Sequence, residues 1–468
     1  MAVLLGSCSL APPYRVPEST PVPAQYQELD GWKPAAPMDE LSRGNWWQLF
    51  SDPQLDALET EAAAANQNLK AAYARLQQAR AETRIARADL FPTITASALA
   101  ERARTSPNSP RFPPGDLTTG NDFNLEGDFS YEFDLWGRVR NEVASAKASQ
   151  QASAADLVSL TLSIQAELAT DYFNLRSDDT QQTLVDHAVQ DYRQALQLTQ
   201  NLYDAGAVPL GDVAQAQAQL ENAMTQAADI HLQRSQAVHS IAVLVGENPS
   251  AFAISVNSLP PALTPPGVDT DLPSALLERR PDVAEAERRV ASANAQIGVA
   301  RAAYFPQFSL DASAGFNSTK ASNWLSAPSR FWSVGPQLTV PIFEGGRLVA
   351  QTARAKAQYS EQVAQYRNTV LTAYQNVEDS LAALRQLEQE AQTVAAAVTA
   401  ANIALEQAQF RYRAGAVTYL EVSSAETTAL QAQLGAANIQ TRRFNATVTL
   451  IKALGGGWRV SDPLLSNN

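Results

Sequence analysis

The sequence predicts a mainly α-helical chain that also carries four β-strands of membrane-spanning length, the whole built from one unit written twice. Three observations predict it. Motifs recur at a fixed spacing: Leu135-Trp136-Gly137-Arg138 returns as Glu344-Gly345-Gly346-Arg347, and Tyr203, Gly206 and Val208 return as Tyr412, Gly415 and Val417, each at an offset of 209 residues. Four short stretches alternate apolar and polar residues with period two, the mark of a strand with two unlike faces. Between them run long segments of Ala, Gln, Leu and Glu whose apolar residues step by four and three, as in packed helices.

The elements follow in order. Residues 9–51 are rich in proline (Pro12, Pro13, Pro17, Pro21, Pro23, Pro34, Pro37) and read as an extended segment. Residues 52–246 form the first repeat, 247–273 a second Pro-rich linker, 274–455 the second repeat and 456–468 a tail. Each repeat begins with a helix that ends at Phe-Pro, at Pro92 and Pro306, because proline disfavours α geometry in the residue before it. Two alternating stretches follow in each: 93–100 and 123–134 around a loop at 106–120, then 308–316 and 332–342 around a loop at 317–330. A Gly-Arg turn next opens a very long helix, 138–204 and 347–413, which at 1.5 Å per residue measures about 100 Å. Its stripe of Val185, Val189, Tyr192, Leu196, Thr199 and Tyr203 is matched by Val394, Val398, Ala401, Leu405, Ala408 and Tyr412, and demands helical neighbours. After Ala-Gly-Ala-Val a shorter helix returns to Gly246 or Gly455.

The strands are the informative part. Each is near the length of a tilted strand that crosses a bilayer. Alternation alone also suits a soluble sheet with one face on a core. Two features favour lipid: the loops are long on one side only, and Phe91, Trp136, Phe305, Phe331 and Trp332 gather near strand ends like an interfacial girdle. Phe123, Leu125, Phe129, Tyr131 and Phe133 are expected to face lipid, with Glu126, Asp128, Glu132 and Asp134 toward a watery lumen. Strands in lipid must close on themselves, and four are too few, so copies must combine. Two copies or three would both close a barrel.

Other classes are excluded. The net charge of −13 and pI near 4.8 leave no basic surface for nucleic acid. The longest apolar run, residues 394–405, is too short to be a transmembrane helix. Phosphate-binding, zinc-hydrolase and nucleophile-elbow motifs are absent, so neither a catalytic site nor a metal is expected. His187, His231 and His239 lie scattered on polar helical stretches. A plain coiled coil or adhesin explains the helices but not two matched strand hairpins.

Ser130-Tyr-Glu-Phe-Asp-Leu-Trp-Gly-Arg138, Pro341-Ile-Phe-Glu-Gly-Gly-Arg347, Glu278-Arg-Arg-Pro-Asp-Val283 and Asn45-Trp-Trp-Gln-Leu-Phe-Ser-Asp-Pro53 resemble the TolC family, and within it the NodT/OprM-type lipoprotein branch of outer-membrane efflux channels. The resemblance implies a homotrimer with a twelve-stranded barrel in the outer membrane and an α-helical tunnel in the periplasm. It implies a periplasmic adaptor and an inner-membrane pump, commonly of the resistance-nodulation-division type, as partners for the export of drugs or other small toxic molecules. An exit duct for type I protein secretion is the alternative. Leu4-Leu5-Gly6-Ser7-Cys8 resembles a lipobox, so residues 1–8 read as the remnant of a signal, and the one cysteine, Cys8, as the site of a diacylglycerol and palmitate anchor. No other cofactor is implied. The family narrows its tunnel where the helices turn back, which maps the constriction to Asp212 and Glu421. The turns themselves (Tyr203, Gly206, Val208, Tyr412, Gly415, Val417) map to adaptor docking. The plainer reading of Asp212 and Glu421 is a solvated acid at the positive end of a helix.

Overall fold

The computed structural model describes residues 9–19, 26–27, 45–104, 106, 119–260, 263–268 and 280–456. Cys8, the body of the first loop and the tail beyond residue 456 lie outside the described residues, as do most of 247–273's final third and residues 274–279. Among the described residues seven α-helices and four strands occur in the order α1 (Pro53–Ala65), α2 (Gln67–Ala88), β1 (Thr93–Arg104), β2 (Thr119–Glu132), α3 (Arg138–Asp204), α4 (Leu210–Val245), α5 (Pro281–Ala302), β3 (Gln307–Ser318), β4 (Arg330–Thr339), α6 (Arg347–Arg413) and α7 (Tyr419–Ala453). The two long helices, α3 and α6, have 67 residues each.

Contacts divide the chain into two compact units that cut across the sequence repeats. One gathers Met1–Glu18, Arg75–Ser153 and Glu285–Arg367, the other Ser19–Ala74, Ala154–Ala284 and Asn368–Asn468. Each repeat therefore gives one strand hairpin to the first unit and helices to both, because α3 and α6 run through the boundary.

In the first unit a single antiparallel sheet has the order β1-β2-β3-β4. Its register aligns the two faces without a break. Ile94 pairs with Phe129, Phe129 with Ala312 and Ala312 with Val334, while Leu125 joins Ala98 to Phe316 and Tyr131 pairs with Leu310. On the other face Thr95 pairs with Asp128, Asp128 with Ser313 and Ser313 with Ser333, whose hydroxyls lie 2.9 Å apart. No strand residue is buried: Ile94 is 75% and Trp332 76% exposed. A soluble sheet buries its apolar face against a core; this one has no core on either side. Gly315 is required by close approach, since a Cβ there would sit 2.0 Å from the Leu125 carbonyl oxygen.

The strand limits differ from those read off the alternation, 93–100, 123–134, 308–316 and 332–342. β1 and β2 extend to Arg104 and back to Thr119, with Glu101 paired to Asp122, because the backbone ladder continues after the apolar alternation has ended. β4 stops at Thr339, opposite the first residue of β3, and Pro341 beyond it has no N–H to donate. At the end of β2, Phe133 lies outside the strand yet donates its N–H to Phe308 (2.9 Å) and packs its ring on Tyr131 and Phe308. Asp134, expected from the alternation to be a lumen acid, has a helix role instead. It caps α3, accepting from the N–H groups of Val139 (3.1 Å) and Arg140 (2.9 Å), and Glu132 is held by Arg138 at 2.7 Å. Trp136 stacks on Phe305 (4.7 Å) and donates to the Pro306 carbonyl, so this part of the aromatic girdle also locks the strand-to-helix junction.

Below the sheet α3 and α5 approach closely through serines: Ser292 lies 2.9 Å from both Ser145 and Ser149. Residues 9–14 lie along this pair, Ser9 donating to Asn141 (3.1 Å), the Pro12 carbonyl accepting from Asn294 (2.9 Å) and Tyr14 donating to Glu287.

The second unit is helical. A short 3-10 turn, Trp46–Phe50, feeds aromatic side chains into its main core, where Phe50 packs on Phe173 (4.9 Å) and Phe173 on Phe444 (4.7 Å). Asp52 caps α1 and accepts from Tyr172 at 2.6 Å. Asp179, fully buried, is shared by Arg176 (2.9 Å) and Arg234 (2.7 Å) and also accepts from the Asn257 N–H, which ties the inter-repeat segment to α3 and α4. Removing one partner of such a buried set costs about 3–5 kcal/mol, since a charge is left unpaired. Farther along, Val185, Val189 and Tyr192 of the α3 stripe are buried against Leu220, Ala223 and Ile230 of α4.

Candidate functional site at the helix turns

The α3–α4 and α6–α7 connections are built alike. Gly206 and Gly415 take left-handed φ angles of 74° and 72°, which a side chain would oppose. Each closes its helix with two reversed hydrogen bonds. Gly206 and Ala207 donate to Tyr203 (2.8 Å) and Leu202 (2.9 Å), and Gly415 and Ala416 to Tyr412 (2.9 Å) and Arg411 (2.9 Å). Glycine is thus the residue the turn requires, and the repeat preserves it.

Asp212 and Glu421 each fall in the first turn of the returning helix, α4 and α7. Both lie where the helix dipole favours a carboxylate. Glu421 is not a free acid: Arg411, at the end of α6, pairs with it at 2.5 Å. The pair is half exposed, and solvent screens it. Tyr203 is 38% exposed, and Val208 and Val417 are partly exposed. Tyr412 stacks edge-on against Tyr419 (5.7 Å) and reaches the Thr199 hydroxyl of α3 at 3.3 Å, which joins the second turn to α3. Leu210, Phe410 and Leu420 stand 60%, 70% and 62% exposed beside the turns.

Two residues were missed from sequence. Arg411 carries no motif. Glu426 is legible in hindsight, since it interrupts the buried stripe of Tyr419, Val422 and Ala429 on α7 with a carboxylate. Among the described residues no group of His, Cys, Asp and Glu side chains could hold a metal ion, and no helix is long and apolar enough to cross a membrane.

A sheet with an exposed apolar face, a polar opposite face and long helices entering it defines a membrane channel of the outer-membrane kind. The chain belongs to the outer membrane efflux protein family, whose model matches residues 58–247 and 272–456. It is 34% identical to the antibiotic efflux pump outer membrane protein ArpC of Pseudomonas putida, over 98% of this chain and 94% of that one. To the toluene efflux pump outer membrane protein TtgC of Pseudomonas putida it is 33% identical, with the same coverage. The solved outer-membrane channel OprN superposes with a TM-score of 0.87 at 30% identity, over 96% of this chain and 100% of that one. The TolC-type resemblance read from the motifs is borne out, and with it the outer-membrane location and an efflux role.

Proposed function

We propose that this chain is the exit duct of a tripartite efflux pump, in which three copies close one twelve-stranded barrel and continue it as a helical tunnel. The observation that carries this reading is the sheet. Among the described residues it exposes an apolar face, buries nothing on either side and leaves one edge of β1 and one of β4 unpaired. In lipid an unpaired edge costs several kcal/mol per group, and joining β4 of one copy to β1 of the next removes both. The helix turns then form the periplasmic end, where an adaptor docks and an inner-membrane pump of the resistance-nodulation-division type supplies energy. The cargo is small and toxic, in keeping with the antibiotic and toluene pumps of the relatives. Cys8 carries a diacylglycerol and palmitate anchor; labelled palmitate should enter the wild type and not Cys8→Ala, and label in both would remove the anchor from Cys8.

Asp212 and Glu421 ring the narrowest point. Glu421→Ala, and more so with Asp212→Ala, should raise single-channel conductance in planar bilayers and weaken block by divalent cations. Unchanged conductance and block would take these residues out of the constriction. Deleting the gene should raise susceptibility to lipophilic antibiotics and aromatic solvents. If only a secreted protein disappears from the medium, the duct serves protein export instead.

A further inference from the structure

A carboxylate lies buried two helical turns into α7. Glu426 is 5% exposed. Just before it on α7, Tyr419 and Val422 pack on Ala216 of α4 and Ala408 of α6, with Ala195 and Leu196 of α3 against them, so four helices meet here. Tyr419, fully buried, donates its hydroxyl to Glu426 at 3.4 Å, a long bond for an O–H donor. The Gln409 amide of α6 is its other hydrogen-bond partner, and Asp191 of α3 is the charged group that acts on it. Tyr192 of α3 and Tyr412 of α6 are the further titratable groups that act on Tyr419. No Arg, Lys or His among the described residues compensates the carboxylate. An ionised carboxylate in such a place pays for lost hydration without a counter-charge. Burial, with Asp191 adding to it, holds the Glu426 carboxyl up at about 7.

We propose that Glu426 is a proton-binding site that locks the closed helix turns: protonated, it lets α3, α6 and α7 pack around Tyr419; ionised, it repels Asp191 and loosens them. This rests on the reading of the turns as the narrow periplasmic end of the duct. The packed state binds the proton more tightly than an open state in which Glu426 is hydrated. Closure is therefore favoured at acid pH and lost as pH rises from the ordinary carboxylate value of 4.5 through about 7. Glu421, exposed and paired with Arg411, cannot play this part.

The test is the pH profile of the purified full-length protein in planar bilayers. Open probability of the wild type should rise about tenfold or more between about pH 5.5 and pH 8.5. Glu426→Gln, which keeps the shape and stays neutral, should hold the closed behaviour at every pH. Asp191→Asn should move the midpoint to lower pH, because the repulsion that opposes ionisation is gone. A Gln variant that follows the wild-type profile, or an Asn variant with an unmoved midpoint, overturns the proposal. Infrared difference spectra read the proton without any channel: a carboxylic-acid band should vanish near neutral pH in the wild type and be absent from Glu426→Gln. If that band is missing in the wild type, the proton site is wrong. If the band titrates while opening does not follow it, the proton site stands and its gating role fails; the reading of the turns as the narrow end is decided separately, by conductance and divalent block in Glu421→Ala with Asp212→Ala.

Discussion

At the scale of single residues, Glu59 shows how much a fold tolerates for its other contacts. It sits fully buried on α1 with neither carboxyl oxygen hydrogen-bonded. Burial, and then the nearby Asp56, push its carboxyl up to about 9. The folded chain thus keeps a proton that the unfolded chain releases near 4.5, so stability falls with rising pH between those values, by about 1.4 kcal/mol per unit at most. Glu59→Gln removes this dependence. Its apparent melting temperature should exceed the wild type's at pH 8 and approach it at pH 5; a variant that melts below the wild type at pH 8 would show that Glu59 has a partner. Glu421 teaches the converse lesson. A carboxylate mapped to the constriction by resemblance is paired with Arg411, eight residues before the start of its helix, and the cation beside it weakens its field.

At the scale of elements, the two faces of β4 differ in what they accept. Val334 is 60% exposed in the row Ile94, Phe129, Ala312 and Val334, while its neighbour Ser333 belongs to the polar row with Ser313. Val334→Lys places a charge against hydrocarbon and should cost roughly 2–4 kcal/mol if its depth is near mid-bilayer. Ser333→Lys should leave assembly intact and shift ion selectivity toward anions. Heat-dependent gel mobility and reversal potentials read the two outcomes, and equal losses of assembly would mean that the sheet has no lipid face. The helices obey the same economy of faces. Val185, Val189 and Tyr192 of the α3 stripe are buried, and Tyr203 at its end is exposed where the chain turns back.

At the scale of the whole molecule, neither compact unit corresponds to a sequence repeat. Duplication explains this, because one ancestral hairpin with its helices can only complete a sheet beside its copy. In the proposed trimer the same logic continues outside the chain, at the outer edges of β1 and β4. In a Cys8→Ala background, which is free of cysteine, a Cys at Ala98 of β1 paired with Cys residues scanned along β4 should give disulfide-linked trimers on gels. Products confined to monomer, or to dimer under saturating oxidation, would exclude a ring of three.

The repeat, both long helices with their ends, the turn glycines and the period-two faces of the sheet were legible in the sequence alone. Each depends on local periodicity or on one backbone angle. Strand ends were not legible, because the ladder from Glu101 to Arg104 persists through pairing with β2 after the alternation has stopped. Asp134 changed from a lumen acid to a helix cap, since capping depends on where the next helix begins. Arg411 beside Glu421, and Glu426 sealed among four helices, required the tertiary structure: they are set by which helix faces meet, and pairing and burial of charge are properties of that meeting rather than of any one segment.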